Sequence, residues 1–297
     1  MDEAQRNDLA GVAWMLLTGL CFVGVNALVK YFGAGLPAPQ AAFIRFLFGL
    51  IFLIPILLRI MYDGIPRALY GAFFLRGGLH VLVVSLWFFA MTRIPIAEVT
   101  AIGFLNPTVA TLGAALLLKE RFSWRRGLAI LIAFAGALVV LRPGMRGLGT
   151  GHLAQVIAAI AFGISYLLAR WLAQRVPAEV VVAMMAVTVT IGLTPVALVV
   201  WVPPNWTQVG GMGLVAIFAT LGHYTMTRAF AVAPMAVTQP VTFLQLIWAS
   251  FLGTAVFHEP LDPMVLVGGA MMIGAISCIT WREARLRSAS RQRNPSR

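Results

Sequence analysis

Residues 94–107, IPIAEVTAIGFLNP, and residues 233–246, APMAVTQPVTFLQL, decide how this chain is read. A slide of 139 positions lays Pro95 on Pro234, Ala97 on Ala236, Phe104 on Phe243 and Leu105 on Leu244. The match extends to Ala90 on Ala229 and Glu120 on Glu259. Nearer the N-terminus, a slide of 140 brings Phe22 onto Phe162, Leu28 onto Leu168, Lys30 onto Arg170 and Tyr31 onto Trp171. The second half reads as a diverged copy of the first.

Around these segments lie ten apolar stretches, over 9–32, 40–60, 70–92, 95–118, 127–141, 152–173, 180–202, 209–230, 234–257 and 263–281. A helix needs about 20 residues at about 1.5 Å each to cross hydrocarbon. Nine stretches reach that length; the fifth relies on its flanks, Trp124, Arg125, Arg126 and Arg142, to reach the interfaces. The expected fold is an all-α integral membrane protein of ten transmembrane helices in two inverted five-helix repeats. Five is odd, so the second copy must enter the membrane in the opposite sense. The expected organisation is repeat 9–141, external linker 142–151, repeat 152–281 and basic tail 282–297. Inverted repeats of this kind are the architecture of secondary transporters, with the solute between them near mid-membrane.

A chain 60% hydrophobic and 11% charged, with mean hydropathy +0.90, is not an ordinary soluble domain. The alternating ten-residue segments of a transmembrane barrel are absent. Met1–Asp8 has more acidic than basic residues and no small-residue cleavage pattern, so the first span is expected to be retained. Cys21 and Cys278 fall inside spans, which predicts neither a disulfide framework nor a metal cluster.

The net charge of +12 would suit nucleic acid, but its placement points to lipid. With the N-terminus inside, 17 of the 22 lysines and arginines fall at cytoplasmic ends. Only Lys30, Arg93, Arg142 and Arg146 fall outside, and Arg45 lies within a span. This asymmetry predicts cytoplasmic termini, with the arginines of 282–297 near anionic lipid. The partners expected are a small-molecule substrate and the bilayer, with the chain as a homodimer or a monomer. Small residues at every fourth position, Ala129, Ala133 and Ala137 in the fifth span and Ala270 and Gly274 in the tenth, suggest close helix packing there.

Polar side chains within spans are costly and usually face a cavity or a partner helix. In the ninth span Thr238, Thr242 and Gln245 share a helical face by spacing, matched by Val99, Gly103 and Asn106 in the fourth. Gln239 matches Thr100, and Asn26 matches Tyr166. Such stripes could wall a solute cavity or simply bond neighbouring helices. Trp87 and Trp248 could stack on a planar or cationic solute, or pack the core. His80 and His223, four positions out of register between the repeats, could couple transport to protons or be packed histidines. Glu98 is the acidic candidate for coupling. Arg45 could clamp an anionic group or snorkel outward. Arg76 and Lys30 read as interface anchors, and Glu120 and Glu259 as structural.

Neither Lys30 nor Lys119 follows the glycine-rich pattern of an ATP-binding loop, and HExxH and GxSxG are absent. No cofactor, metal or enzymatic activity is expected, so transport would run on gradients or exchange.

Several stretches together resemble a known family. Arg76-Gly-Gly, Trp87-Phe-Phe-Ala90, residues 94–107, Leu118-Lys-Glu120, Gly136 and Leu141-Arg-Pro143 resemble the first EamA-type repeat. Gly222-His-Tyr-Thr, Arg228-Ala-Phe, Ala233-Pro-Met-Ala236, Gln245-Leu-Ile-Trp248, Phe257-His-Glu-Pro260 and Gly268-Gly269 resemble the second. The resemblance implies a drug/metabolite transporter superfamily member with ten helices, a central cavity and alternating access. It is similar to bacterial carriers for S-adenosylmethionine, riboflavin or amino-acid-like metabolites. The rivals are a broad-specificity drug exporter and a membrane-embedded lipid-modifying enzyme. A channel would need charged rings or filter motifs that the sequence lacks.

Overall fold

The computed structural model describes residues 3–106, 108–110, 113, 124–142, 147–233, 235–238, 241–242 and 244–275. Proline punctuates the helices. Helix α1 (Glu3–Phe32) ends before Gly33 and Gly35, the latter at φ 81° where a side chain would be strained. Pro37 then opens α2 (Ala38–Phe52), and Pro55 at the second position of α3 (Ile54–Asp63) cannot donate to the turn before it. The two helices therefore meet at a 66° bend. Helix α4 (Tyr70–Met91) is followed by Pro95, which opens α5 (Ile96–Gly103).

Helix α6 (Trp124–Leu141) closes the first half; in the second, α7 (Thr150–Ala173) comes first and Pro177 opens α8 (Ala178–Val199). Pro37 and Pro177 are repeat mates at a separation of 140, so the same break is encoded twice. Asn205 caps α9 (Trp206–Val232): its Oδ1 accepts from the Gln208 N–H at 2.8 Å, and Gln208 Oε1 accepts from the Asn205 N–H at 3.0 Å. A single turn, Met235–Thr238, leads to α10 (Leu244–Phe257) and α11 (Pro263–Ala275).

All regular secondary structure among the described residues is helical, and five helices are individually long and apolar enough to cross a membrane: α1, α4, α7, α8 and α9. The bent α2–α3 pair makes up to six. The expected fourth, ninth and tenth spans run through positions outside the described residues, and their described parts are shorter helices. Helix α6, at 18 residues, corresponds to the short fifth span.

Packing exchanges partners between the halves. Helix α1 lies along α9 and α4 lies along α7, so the first helix of each copy packs on the third helix of the other. Helices α2 and α8, also repeat mates, pack together. Helices α6 and α11, where the small-residue stripes suggest close packing, meet at Gly136 and Gly268. A Cβ on Gly136 would lie 2.6 Å from the Gly268 carbonyl oxygen, whereas one on Gly274 would meet nothing within 4 Å. Gly136→Val is expected to lose roughly 1–3 kcal/mol by overpacking and to lower the melting temperature in detergent. Gly274→Ala should leave it unchanged, and equal melting of the two variants would refute the contact.

Candidate functional site

Helices α1, α4, α5, α7 and α9, with Thr242 and Gln245, enclose a cavity of about 80 Å³. At roughly 10–15 Å³ per water it has room for several waters. Six repeat-related pairs line it: Met15 with Gln155, Phe22 with Phe162, Asn26 with Tyr166, Trp87 with Met226, Gly103 with Thr242, and Asn106 with Gln245. The pseudo-symmetry relating the two copies therefore passes through this cavity.

Each polar side chain is placed by its helix. Thr18, Phe22 and Asn26 recur every fourth residue of α1 and form one wall. The Thr18 hydroxyl meets the Thr225 hydroxyl at 2.8 Å and donates to the Trp14 carbonyl at 2.9 Å, tying α1 to α9. On α5 the Thr100 hydroxyl donates to the Ile96 carbonyl at 2.9 Å, which leaves its lone pairs open. Gln155 on α7 donates Nε2–H to the Val99 carbonyl at 2.9 Å, and this fixes its amide orientation. Tyr166 lies within hydrogen-bonding reach of Asn106.

Three buried amide oxygens, Asn26 Oδ1, Asn106 Oδ1 and Gln155 Oε1, have no hydrogen-bond partner among the described residues. The remaining wall is aromatic. Trp87 packs edge to face on Phe22 at 6.1 Å and on Phe162 at 5.4 Å. The cavity thus offers hydrogen-bond acceptors and ring faces, an arrangement suited to a solute rich in N–H or O–H groups.

Of the residues singled out in the sequence, Asn26, Trp87, Thr100, Asn106, Tyr166, Thr242 and Gln245 line the cavity. Gln239 lies outside the described residues. His80, His223 and Arg45 are buried behind its wall, the two imidazoles 5.2 Å apart between ring centres. Arg45 does not snorkel: it is 2% exposed and its guanidinium stacks on Phe46 at 3.7 Å. Arg76 is no interface anchor either; it is 1% exposed and donates to the Val181 carbonyl at 3.3 Å.

Trp248 is a correction. It is 49% exposed, because the buried row of α10 runs through Leu246, Ala249, Ser250 and Gly253 and leaves the tryptophan on the outer row. The single stripe drawn through Thr238, Thr242 and Gln245 is also broken, since Thr238 ends one helical turn and α10 starts only at Leu244. Pro240, between them in the sequence, supplies no backbone donor.

Glu98 sits at the cavity's edge, with His152 Nε2 at 2.9 Å from its Oε2. His152 Nδ1 accepts the Gly149 N–H at 3.2 Å, so Nε2 carries the proton and donates to Glu98. Lys30 and Glu259 form an ion pair at 2.5 Å. Lys30 also donates to the Ile94 carbonyl at 3.1 Å, and Glu259 Oε2 accepts the Ile96 N–H at 3.0 Å. At the same end Arg142 pairs with Asp262, and Gln40 bonds both backbone groups of Val202. Apart from the Lys30–Ile94 bond, these ties cross between the halves and hold them together at this end of the bundle.

Sequence reading missed Thr18, Gln155 and His152. Their repeat mates, Ala158, Met15 and Val12, are apolar, so a search for positions polar in both copies passes over them.

Profile comparison matches residues 9–142 and 149–281 separately to the EamA-like transporter family. The chain belongs to the EamA-like transporter family. It is a multi-pass membrane protein of transporter type. Among EamA relatives, the S-adenosylmethionine uptake transporter of Rickettsia prowazekii is 23% identical over 98% of this chain and 99% of its own length. The riboflavin transporter of Vibrio cholerae is 27% identical over 98% of both chains. The pseudopaline exporter of Pseudomonas aeruginosa is 24% identical over 91% of this chain and 95% of its own. A solved crystal structure shares the fold at TM-score 0.65 and 18% identity, over 92% of this chain and 97% of that one.

An unpartnered buried amide oxygen costs about 1–3 kcal/mol of stability. Asn26→Leu, which removes one, is expected to melt at or above the wild-type temperature in detergent. A clear fall would mean that Asn26 has a structural partner and is not held open for a solute.

Proposed function

We propose that this chain is a secondary transporter that carries a small polar organic solute by alternating access, driven by a gradient or by exchange. The observation that carries the reading is the cavity lined by repeat-related pairs from both halves, with three amide oxygens awaiting donors. A site shared by two rocking halves is exposed to each side in turn as they tilt.

The ties at the end marked by Lys30 and Glu259 support a state closed on that side. The charge asymmetry supports cytoplasmic termini in an inner membrane, which puts the shut end outside. Ten helices in two inverted repeats fit the odd number of spans expected per copy and the exchanged packing of α1 on α9 and α4 on α7.

The substrate class favoured is a donor-rich metabolite, amino-acid-like or bearing a flat ring, as the names of the S-adenosylmethionine and riboflavin relatives suggest. The aromatic wall would also suit a broad exporter of apolar drugs. The open amide oxygens count against that reading, because a dry apolar solute would leave them unpaired at a cost. Enzymatic chemistry finds little support: Asp63, Glu98, Glu259 and Asp262 are each engaged by a basic partner.

Proteoliposomes offered polar metabolites are expected to show saturable flux. Gln155→Leu should raise the half-saturation concentration about tenfold, as the loss of one hydrogen bond to the solute predicts. No saturable flux for polar solutes, together with resistance to apolar drugs on overexpression, would favour the exporter instead. Glu259→Gln, which breaks the closing ion pair, should increase labelling of a cysteine introduced at Thr100 from the Lys30 side. Unchanged labelling would show that the pair does not hold that end closed.

A further inference from the structure

Behind the aromatic wall four nitrogen-bearing side chains converge without an acidic partner. Arg45 comes from α2, Arg76 and His80 from one face of α4, and His223 from α9, and each is at least 98% buried. The imidazoles touch edge to face at 5.2 Å, His80 stands one turn after Arg76 on α4, and Phe46, on which Arg45 stacks, lies 6.0 Å from His80. Arg45 Nε, Arg76 Nε and Nη2, and both ring nitrogens of His223 have no hydrogen-bond partner among the described residues. Whichever tautomer His223 adopts, one unpartnered N–H remains. The paired carboxylates of the described chain are engaged elsewhere, Glu98 with His152, Glu259 with Lys30 and Asp262 with Arg142.

Each guanidinium, buried with no carboxylate partner among the described residues, opposes folding through desolvation. Such an arrangement is retained where an anion completes it. The Arg fork matches the paired oxygens of a carboxylate or phosphate, whereas a spherical halide engages it less well.

The cluster abuts the cavity across a wall one ring thick. Phe22 lies 5.2 Å from His223 and Phe162 lies 5.6 Å from His80, and both phenylalanines line the cavity. The cluster also breaks the repeat symmetry. The mates of Arg45, Arg76, His80 and His223 are Met185, Val215, Ala219 and Val84. None of the four has a basic or imidazole mate in the other copy, which points to cargo selection rather than to the shared framework.

We propose that Arg45, Arg76, His80 and His223 form an oxyanion subsite that takes the carboxylate or phosphate of the solute whose N–H and O–H groups occupy the cavity. This rests on the transport reading and narrows it: the cargo carries an acidic group as well as hydrogen-bond donors. Phe22 and Phe162 turn aside to let that group through.

The test uses the full chain in nanodiscs, with sodium phosphate, acetate and chloride titrated while melting is followed. Arg45→Gln under the same salts subtracts general ionic effects. Phosphate or acetate should raise the wild-type melting temperature saturably, and Arg45→Gln should weaken the response at least tenfold. In proteoliposomes, amino acids should compete for flux and their carboxamides should not. Should Arg45→Gln fail to fold, His223→Gln and the amino acid against carboxamide pair on wild-type protein carry the test. Identical salt responses in wild type and variant would overturn the subsite. Saturation by chloride, with carboxamides competing as well as acids, would show a resident inorganic ion and overturn the claim on cargo. Anion binding without any flux would sink the transport reading and leave the subsite standing, whereas flux of neutral solutes with no anion response would do the reverse.

Discussion

Hydrocarbon offers no hydrogen bonds, and that constraint governs this molecule. Every polar group inside the bundle must find a partner in the protein or leave a cost unrecovered. Most do: Thr188, Thr190, Thr194, Thr227 and Thr254 return their hydroxyls to carbonyls one turn back, and Thr18 reaches Thr225 across two helices. Against that background the unpartnered amide oxygens around the cavity and the unpartnered nitrogens behind it stand out. Their cost is borne where a solute would remove it.

Duplication explains why such a place exists. Two similar helical units that exchange partners, α1 on α9 and α4 on α7, bring equivalent positions together about a common axis. Side chains near that axis come to line one cavity in pairs, as Phe22 with Phe162 and Asn106 with Gln245 show. The cross-ties at the Lys30 end hold the two halves together on one side. The proposed rocking of the halves would break those ties.

The repeat was legible in the sequence because proline breaks and aromatic anchors survive divergence: Pro37 with Pro177, and Phe22 with Phe162. Cavity positions polar in both copies were legible for the same reason, as with Asn26 and Tyr166. Trp248 was misplaced because spacing alone does not say which row of a helix faces inward; its repeat mate Val109 gave no support for a cavity role. Gln155 and Thr18 stayed hidden because one copy keeps an apolar residue. The meeting of His80 and His223 was hidden too. Their offset of four positions is one helical turn, which long side chains on facing helices bridge but a strict register does not.

The central claim is that one cavity between the two halves opens to each side of the membrane in turn. The direct measurement is labelling of Thr100→Cys, in a chain lacking Cys21 and Cys278, with a membrane-impermeant maleimide in right-side-out and inside-out vesicles. Alternating access predicts reaction from both sides, each suppressed by transported solute. Reaction from one side only, or from neither under any condition, would contradict it.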